Sequence, residues 1–307
     1  MKVLIVARCK QNRYAPFITE QINALDKQAV QYRFFGISKN GISGYISHLR
    51  RFRQAICEFR PDVIHAHYGL CGLFANCQRD IPVVTTYHGS DINNKAVRII
   101  SRLSMHLSFW NIFVSRKTLD IAKPKKHFTL LPCGVDLCDV QKTSKTEARR
   151  MMNLDGEKKY VLFSGAFDDV VKNAPLAKDA VSKLHNGAQL LELKGYSRKE
   201  VTLLMCAADA LLMTSFSEGS PQVIKEALAC GCPIVSVDVG DVAHRISGVK
   251  GCFVANTYDP KELTRLLENA ISFEGRTNGL VKVVSDGLDN SHIAERLLDI
   301  YNNAIQK

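Results

Sequence analysis

The chain has 307 residues, of which 46% are hydrophobic and 23% are charged. This composition is typical of a folded globular protein, and the length fits one large or two average domains. No stretch approaches the ~18 uninterrupted apolar residues of a membrane-spanning helix, and the apolar run at the N-terminus is too short for a signal peptide. The ten cysteines show no Cys-x-x-Cys spacing, so reduced thiols in a cytoplasmic protein are expected.

The net charge of +11 is unevenly distributed along the chain. Residues 1–150 hold 24 Lys and Arg against 10 Asp and Glu, a net +14, whereas residues 151–307 hold 17 against 20, a net −3. A basic first half predicts an anionic partner. An anionic membrane surface fits this charge, and so does a solvated basic face without a partner. Nucleic acid is not expected as a partner, because no aromatic-interleaved basic motif or zinc-finger spacing occurs.

The first half alternates short apolar runs with helical patterns. Strands are predicted at residues 3–7, 32–37, 63–67, 83–87, 112–115 and 128–131, and helices at 16–25, 42–59, 70–79 and 95–106. Continuous apolar strands that alternate with helices indicate a parallel, doubly wound α/β sheet. The polar stretch 141–150 predicts a domain boundary, and residues 1–145 are assigned to an N-terminal, Rossmann-like, acceptor-side domain.

The second half repeats this architecture without visible sequence repetition. Strands are predicted at residues 160–164, 189–193, 210–214, 234–237 and 252–254, and helices at 174–185, 197–208, 221–230, 260–273 and 291–305. Residues 146–290 are assigned to a second Rossmann-like domain, and 291–307 to a C-terminal helix that packs back on the first domain. Two such domains would face a cleft at the carboxyl ends of both sheets, where ligands bind in this class. Because no Gly-x-Gly-x-x-Gly follows a strand, a nicotinamide enzyme is not expected.

The loop before the helix that starts at Pro221 has the features of an anion-binding site. Ser220 is placed as the N-cap, and Pro221 occupies the first helical position. Backbone N–H groups near Gly219 and Ser220 would face a ligand with the positive end of the helix dipole behind them. Glu218 precedes the helix, and Glu226 lies about 7.5 Å beyond Pro221 along its axis. Two such carboxylates could bracket a diphosphate, a sugar and a ribose, or they could be solvated side chains at a helix end.

This stretch resembles the signature of glycosyltransferase family 4, whose members have the two-domain GT-B fold and use nucleotide sugars. The family pattern has two glutamates separated by seven residues, with Gly-x-Pro after the first and Ala-x-Ala-x-Gly-x-Pro after the second. The residues that match this pattern are Glu218, Gly219, Pro221, Glu226, Ala227, Ala229, Gly231 and Pro233. The resemblance extends over nearly the whole chain and is strongest in the second domain. It implies transfer of a sugar with retention of configuration.

The resemblance also implies how the donor diphosphate is bound. Lys172 matches the family lysine that contacts this group. Ala166 and Phe167 stand where the family has an arginine, so either the diphosphate contact is weakened or part of it shifts to another basic residue. The remaining contacts are expected from Gly219, Ser220 and Pro221 at the start of the helix.

Further roles follow from the same resemblance. Glu218 and His88 are the catalytic candidates. Glu218 would hold sugar hydroxyls and favour a cationic transition state, and His88, within the sequence TYHGSD at a strand end, would approach the donor sugar. Glu226 would hold the ribose, and Gly195 with Tyr196 would hold the nucleotide base.

No metal site is expected from the sequence. His65 and His67 lie on one face of a predicted strand, but two ligands do not complete a zinc site, so these histidines are interpreted as structural or as lining the cleft. Cys230 and Cys232 flank a helix end and are interpreted as packing residues.

The sequence therefore predicts a metal-independent glycosyltransferase that needs no cofactor and can lie at the inner face of the membrane. It would move a sugar from a nucleotide sugar, UDP- or GDP-linked, to a glycan or lipid-linked acceptor in bacterial surface polysaccharide synthesis. Two alternatives stay open. One is a protein that binds a nucleotide sugar without transferring it, which the missing arginine favours. The other is a sugar-nucleotide epimerase of the same fold, in which only His88 or Glu218 could act as the base.

Overall fold

The computed structural model of the chain describes residues 1–11, 13–25, 30–39, 41–125, 127–138, 140 and 143–306. The chain forms two compact units. The first comprises Met1–Gly134 and Asn290–Lys307, and the second comprises Val135–Asp289. The limits predicted from sequence, 1–145 and 146–290, put the boundary later in the chain. Part of the polar stretch on which that prediction depends, residues 141–142, lies outside the described residues.

The first unit contains, among its described residues, a six-stranded sheet in which every pairing is parallel. Its strands are β1 (Lys2–Arg8), β2 (Gln31–Ile37), β3 (Val63–His67), β4 (Val83–Tyr87), β5 (Trp110–Phe113) and β6 (Phe128–Leu130). Its helices up to this point are α1 (Pro16–Leu25), α2 (Gly41–Ser47), α3 (Leu49–Phe59), α4 (Gly69–Ala75), α5 (Ser90–Asn93), α6 (Lys95–Leu107) and α7 (Arg116–Ala122). The strand order is β2-β1-β3-β4-β5-β6.

The described part of the second unit contains a five-stranded parallel sheet. Its strands are β7 (Tyr160–Phe163), β8 (Gln189–Glu192), β9 (Ala210–Met213), β10 (Ile234–Val237) and β11 (Cys252–Ala255), in the order β11-β10-β9-β7-β8. Its helices are α8 (Lys145–Met151), a 3₁₀ turn (Val170–Lys172), α9 (Ala174–Ser182), α10 (Arg198–Ala207), α11 (Gln222–Cys230), α12 (Val242–Ile246), α13 (Pro260–Ile271) and α14 (Gly279–Ser285). The prediction of two parallel-sheet α/β domains is confirmed.

Burial explains why the strands are readable from the sequence. Every residue of β3, β4, β7, β9 and β10 is buried. Parallel strands that helices cover on both faces appear as continuous apolar runs instead of alternating ones. None of the helices within the described ranges is both long and apolar enough to cross a membrane.

The predicted helix 42–59 is wrong in one respect, because it is two helices. The first ends at Ser47, and the second begins at Leu49. Between them the buried side chain of His48 contacts the carbonyl oxygen of Gly44 at 2.7 Å. A side chain that bonds to the backbone in this way competes with helical hydrogen bonds, which accounts for the break.

A further helix, α8, lies where only a polar boundary is predicted from the sequence. Ser144 caps it by accepting a hydrogen bond from the backbone N–H of Glu147. Ser-x-x-Glu before a helix is a known start signal, so the sequence contains the information that this helix begins there.

The C-terminal helix α15 (Asn290–Ile305) belongs to the first unit. Its apolar face is buried in the same cluster as α1, and a polar contact fixes it to the sheet. The hydroxyl of Tyr301 lies 2.7 Å from His65 Nδ1, and the other ring nitrogen of His65 lies 2.8 Å from Thr86 Oγ1. His65 is fully buried, so both of its nitrogens are satisfied by the fold.

We expect His65 to make the stability of the protein depend on pH. Burial lowers the pKa of this imidazole from 6.5 to about 3, so the folded ring stays neutral while the unfolded chain takes up a proton. The unfolded state then binds more protons between these pH values, and the free energy of unfolding falls as the pH falls, by about 1.4 kcal/mol per pH unit. His65→Gln should remove this contribution and flatten the acid limb in urea denaturation, whereas His185→Gln at an exposed site should not. Equal slopes in wild type and His65→Gln would contradict the expectation.

Candidate active site

The loop that follows β9 leads into α11, which begins at Gln222 and not at Pro221. The predicted N-cap role of Ser220 is wrong, because the N-cap residue is Pro221 in an extended conformation and no side chain caps the helix. The hydroxyl of Ser220 instead donates to Asp241 Oδ2 at 2.9 Å. The predicted helix end is confirmed, since Gly231 adopts the left-handed conformation there with φ of 69°.

The structure brings together two of the predicted site residues in the second unit. Lys172 Nζ lies 2.7 Å from Glu218 Oε1, and both side chains are largely buried. Backbone contacts explain the pairing. The hydroxyl of Thr214 donates to the carbonyl oxygen of Lys172 at 2.9 Å, and the N–H of Phe216 donates to the carbonyl of Val171 at 2.9 Å. These bonds hold the turn that carries the lysine against the loop that carries the glutamate.

The stem of Lys172 lies over Gly165, just after β7. A Cβ on Gly165 would lie only 2.9 Å from Lys172 Cγ, so glycine is needed for the lysine to reach its position. At the place where family 4 has an arginine, the ring of Phe167 instead faces the ammonium of Lys178, which lies 4.5 Å from the ring centroid. The position of Lys172 is therefore fixed by the packing of its stem on Gly165 as well as by its ion pair with Glu218.

Glu226, the predicted ribose ligand, forms an ion pair with Arg198 through its Oε1. The carboxylate side chain is 11% exposed and the arginine 47%. Arg198 is the first residue of α10, whose start is fixed by a capping box between Ser197 and Glu200. Arg198 is not among the residues predicted from the sequence, although this Ser-x-x-Glu signal places it at a helix start directly after the predicted base-binding loop.

The predicted base-binding residues lie on that exposed loop, between β8 and α10. Gly195 has φ of +87°, a conformation that side chains rarely adopt, and a Cβ there would meet no atom within 4 Å. Tyr196 is 42% exposed. The neighbouring Lys194 forms an ion pair with Asp168, so Asp168 has a structural partner.

Two further residues, which were not predicted from the sequence, support the loop between β9 and α11 that carries Glu218 and Gly219. Gly240 has φ of +61°, and a Cβ there would lie 2.8 Å from the carbonyl oxygen of Gly219 and 3.1 Å from Glu218 Cβ. Asp241 receives a hydrogen bond from Arg245 Nε at 2.9 Å as well as the one from Ser220. The side chains of this carboxylate and its arginine are 6% and 9% exposed, so the support is a buried, hydrogen-bonded ion pair.

In the first unit, a buried carboxylate shapes the turn that carries His88. Asp91 accepts backbone N–H groups of Gly69, His88 and Gly89, each at 3.0 Å. Burial raises the pKa of this carboxyl to about 6, although the three hydrogen bonds act in the opposite direction. The turn at the end of β4 is therefore held by one side chain that organises three peptide groups.

His88 forms a pair with a second histidine. His67 Nδ1 lies 3.0 Å from His88 Nε2, and the two ring planes are 21° apart with their centroids 5.3 Å from each other. Burial, assisted by the neighbouring histidines, lowers the pKa of His67 well below its usual value. Within the described part of the chain, His67 Nε2 is buried without a hydrogen-bond partner. A buried unbonded N–H is costly, so the proton is assigned to His67 Nδ1, which donates to His88 Nε2.

The predicted site residues thus fall into two sets. The second unit carries the set around the start of α11, which consists of Lys172, Glu218, Gly219, Ser220, Pro221 and Glu226, with Gly195 and Tyr196 on the loop before α10. His88 belongs to the first unit. The residues that the structure describes contain no group of three or more His, Cys, Asp or Glu that could hold a metal ion.

Comparison with protein families gives matches to both units. The model described as Glycosyltransferase Family 4 matches residues 7–138, and the model described as Glycosyl transferases group 1 matches residues 170–272. The chain is also 26% identical over 215 residues to TuaC of Bacillus subtilis (strain 168), a glycosyltransferase assigned to teichuronic acid biosynthesis. This match covers 60% of the chain and 54% of TuaC, so the chain spans about half the length of that relative.

Solved structures share the fold. Sucrose-phosphate synthase from Thermosynechococcus elongatus superposes with a TM-score of 0.81 at 14% identity, over 98% of each chain. HepE from Anabaena, in complex with UDP and glucose, superposes with a TM-score of 0.73 at 15% identity, over 99% of this chain and all of HepE. The chain has a GT-B fold.

A methyl group at Gly240 should disturb the loop between β9 and α11. Gly240→Ala pays the strain of a positive φ, about 1 kcal/mol, and also forces the backbone of Gly219 away, at a further cost of about 1–3 kcal/mol. Gly187→Ala is a matched control, because Gly187 has φ of +64° but open space around its Cβ position. Chemical denaturation should show the larger loss for Gly240→Ala. Equal losses would mean that Gly240 does not support the loop.

Proposed function

The chain belongs to glycosyltransferase family 4, group 1, and we propose that it moves a sugar from a nucleotide sugar to a glycan or lipid-linked acceptor with retention of configuration. The observation that carries the proposal is the Lys172–Glu218 ion pair at the loop before α11, with Glu226 further along the same helix. Two similar proteins support the proposal. HepE has been solved with UDP and glucose, and TuaC is assigned to teichuronic acid biosynthesis.

The donor diphosphate would be bound by charge and by backbone dipoles. Lys172 supplies a point charge, and the start of α11 supplies N–H groups and the positive end of its dipole. Pro221 has no N–H to offer, but it fixes the backbone at the point where the helix begins. We propose that these groups stabilise the departing diphosphate, so that no metal ion or other cofactor is needed.

The ion pair suggests how donor binding and catalysis are coupled. Without donor, Lys172 and Glu218 neutralise each other. A diphosphate carries more negative charge than one carboxylate and competes for the lysine, which releases Glu218 Oε1 to accept sugar hydroxyls. The carboxylate then stabilises the positive charge that develops on the sugar as its bond to phosphate breaks.

The remaining residues would position the donor and the acceptor. Glu226 would accept ribose hydroxyls, with Arg198 holding its carboxylate in place. His88 would contact the sugar, and its orientation is set by the hydrogen bond from His67. Bond formation to the acceptor occurs on the face that the phosphate leaves, and the acceptor proton passes to the departing phosphate oxygen.

The acceptor side of the proposal depends on charge. The net +14 of residues 1–150 suits an anionic acceptor or an anionic membrane surface, as expected for a lipid-linked glycan in bacterial surface polysaccharide synthesis. The protein would then work at the cytoplasmic face of the membrane.

Thermal stabilisation by nucleotides tests the donor site. UDP, GDP, ADP and CMP are added separately, and a nucleotide at a hundred times its dissociation constant should add about 2.7 kcal/mol to the free energy of unfolding. Stabilisation of the wild type and of Glu268→Gln, an exposed control on α13, but not of Glu226→Gln would identify the donor class and the ribose ligand. If no nucleotide stabilises the wild type, the donor proposal fails. If a nucleotide sugar binds but analysis finds only its epimer, the protein is an epimerase.

Lys172→Met tests the diphosphate contact. Methionine keeps most of the stem that lies over Gly165 but removes the charge, so we expect a loss of about 1.5–3 kcal/mol, or roughly ten- to a hundredfold in affinity for the nucleotide diphosphate. Lys261→Met, at an exposed position of α13, should leave the affinity unchanged. Calorimetric titration measures both, and wild-type affinity in Lys172→Met would remove this lysine from the site.

A further inference from the structure

Helix α6 exposes its large apolar side chains and buries small polar ones. Ser101 and Ser104 are fully buried, whereas Ile99 is 71% exposed and Leu103 is 51% exposed. Ile99 and Leu103 are four residues apart and therefore lie side by side on one face of the helix. A surface helix of a globular protein normally has the opposite arrangement, with its apolar stripe toward the core.

The contact of α6 with α4 explains this arrangement. Gly69 and Gly72 of α4 have no room for a Cβ because the hydroxyls of Ser101 and Ser104 lie against them. The serine hydroxyls are also bonded, since Ser101 donates to the carbonyl oxygen of Asp91 at 2.9 Å. Close packing of small residues therefore fixes which face of α6 is buried, and the aliphatic face is left at the surface.

Basic residues border the exposed aliphatic face. Residues 95–127 contain eight Lys and Arg against a single acidic residue, Asp120. On α6 itself, Lys95 and Arg102 are exposed beside Ile99 and Leu103. In the part of the chain that the structure covers, no carboxylate lies within ion-pair distance of Lys95 or Arg102.

A cavity of about 490 Å³ lies at the C-terminal end of the same face. It is lined by Arg102 and His106 of α6 together with Lys123 and Lys125, which follow α7. The lining also includes the apolar side chain of Met105. Several cations around a partly apolar cavity fit a phosphate-bearing group attached to an aliphatic chain.

We propose that α6 docks on an anionic lipid bilayer, with Ile99 and Leu103 inserted among the acyl chains and an acidic lipid headgroup in the cavity lined by Arg102, His106, Lys123 and Lys125. An exposed aliphatic stripe beside Lys and Arg is the pattern of helices that lie in the membrane interface. Acidic headgroups also supply the negative charge that the exposed cations lack within the described chain.

The position of α6 connects this surface to the proposed reaction. A helix that leads from one parallel strand to the next runs antiparallel to them, so α6 starts at the carboxyl edge of the sheet, where His88 lies, and ends at the cavity near the opposite edge. Its 13 residues span about 20 Å. Docking through α6 would bring the edge that carries His88 to the membrane, where a lipid-linked acceptor is located. The inference extends the acceptor side of the proposed function, but it requires neither donor nor acceptor to be bound.

A second copy of the chain is a less suitable occupant. In a twofold dimer the same surface meets itself, so Lys95, Arg102 and Lys123 of one copy would approach the same cations of the other. Like charges in an interface are unfavourable, whereas a lipid surface offers charges of the opposite sign.

Vesicle flotation tests the proposal on the full chain. Vesicles of phosphatidylcholine alone are compared with vesicles that also contain phosphatidylglycerol, and the wild type should float only with the latter. Ile99→Ser with Leu103→Ser should lower the bound fraction at least about tenfold, since two inserted aliphatic side chains are lost. Arg102→Glu with Lys123→Glu should lower binding by roughly twentyfold or more, because each basic residue near an anionic surface contributes about a factor of five.

Matched controls separate this surface from overall charge and overall hydrophobicity. Arg50→Glu with Arg51→Glu makes the same charge change on exposed residues of α3, and Val281→Ser with Val284→Ser removes exposed valines from α14. Both controls should bind like the wild type. If the α3 and α6 charge variants lose vesicle binding equally, the proposal is overturned, because the attraction then depends on the overall positive charge and not on the surface of α6. Absence of wild-type binding would overturn it as well, as would a lipid-free dimer that Ile99→Ser with Leu103→Ser dissociates.

Nucleotide stabilisation distinguishes failure of this proposal from failure of the proposed function. It reports on the second unit and needs no lipid. If a nucleotide stabilises the chain but anionic vesicles do not bind it, the proposed donor site stands and the docking proposal fails. If anionic vesicles bind the chain but no nucleotide stabilises it, the docking proposal stands and the proposed donor site fails.

Discussion

The candidate donor site depends on how the loop after β9 is attached to the turn after β7. The hydroxyl of Thr214 and the N–H of Phe216 donate hydrogen bonds to carbonyl oxygens of that turn. The backbone of the turn is thereby fixed against the loop, and this determines where Lys172 and Glu218 meet. Each bond is modest by itself, at about 0.5–1.5 kcal/mol. Together they determine that a cation and a carboxylate share one small region at the carboxyl edge of the sheet, where ligands bind in parallel α/β folds. Gly240 and Asp241 support the same loop from its other side.

The sequence predicts the strands well, and the reason is physical. A strand covered by helices on both faces must be apolar at every position, and β3, β4, β7, β9 and β10 meet this condition. Breaks and short helices are harder to predict. The division between α2 and α3 follows from a contact of the His48 side chain with Gly44, which no periodic pattern reveals. The orientation of α6 is also hard to predict, because its amphipathic pattern does not show that close contact with the glycines of α4 buries the serine face.

The site is predictable where its chemistry lies within one local stretch. Glu218, Gly219, Pro221 and Glu226 are readable because they surround one helix start. The partners that fix them come from distant parts of the chain, and local sequence does not contain that information. Arg198 reaches Glu226 from another helix, and Asp241 takes the hydroxyl of Ser220, which a local interpretation assigns to capping. Ser220 does not cap the helix because α11 begins at Gln222 with Pro221 as its N-cap, so the serine lies one residue before the capping position.

In the first unit, the positive charge lies on exposed side chains, whereas the histidines that lead to His88 are buried. His65 and His67 are buried, and burial lowers the pKa of both, so these two histidines carry little charge at neutral pH. The cations of the basic segment 95–127 lie instead on exposed residues beside exposed aliphatic side chains. Charges placed on a surface act on partners that approach it, because solvent screens them from the interior within about 10 Å. The positive charge of this segment is therefore available to an anionic surface, as the proposed docking requires, whereas the buried His65 and His67 contribute none of it.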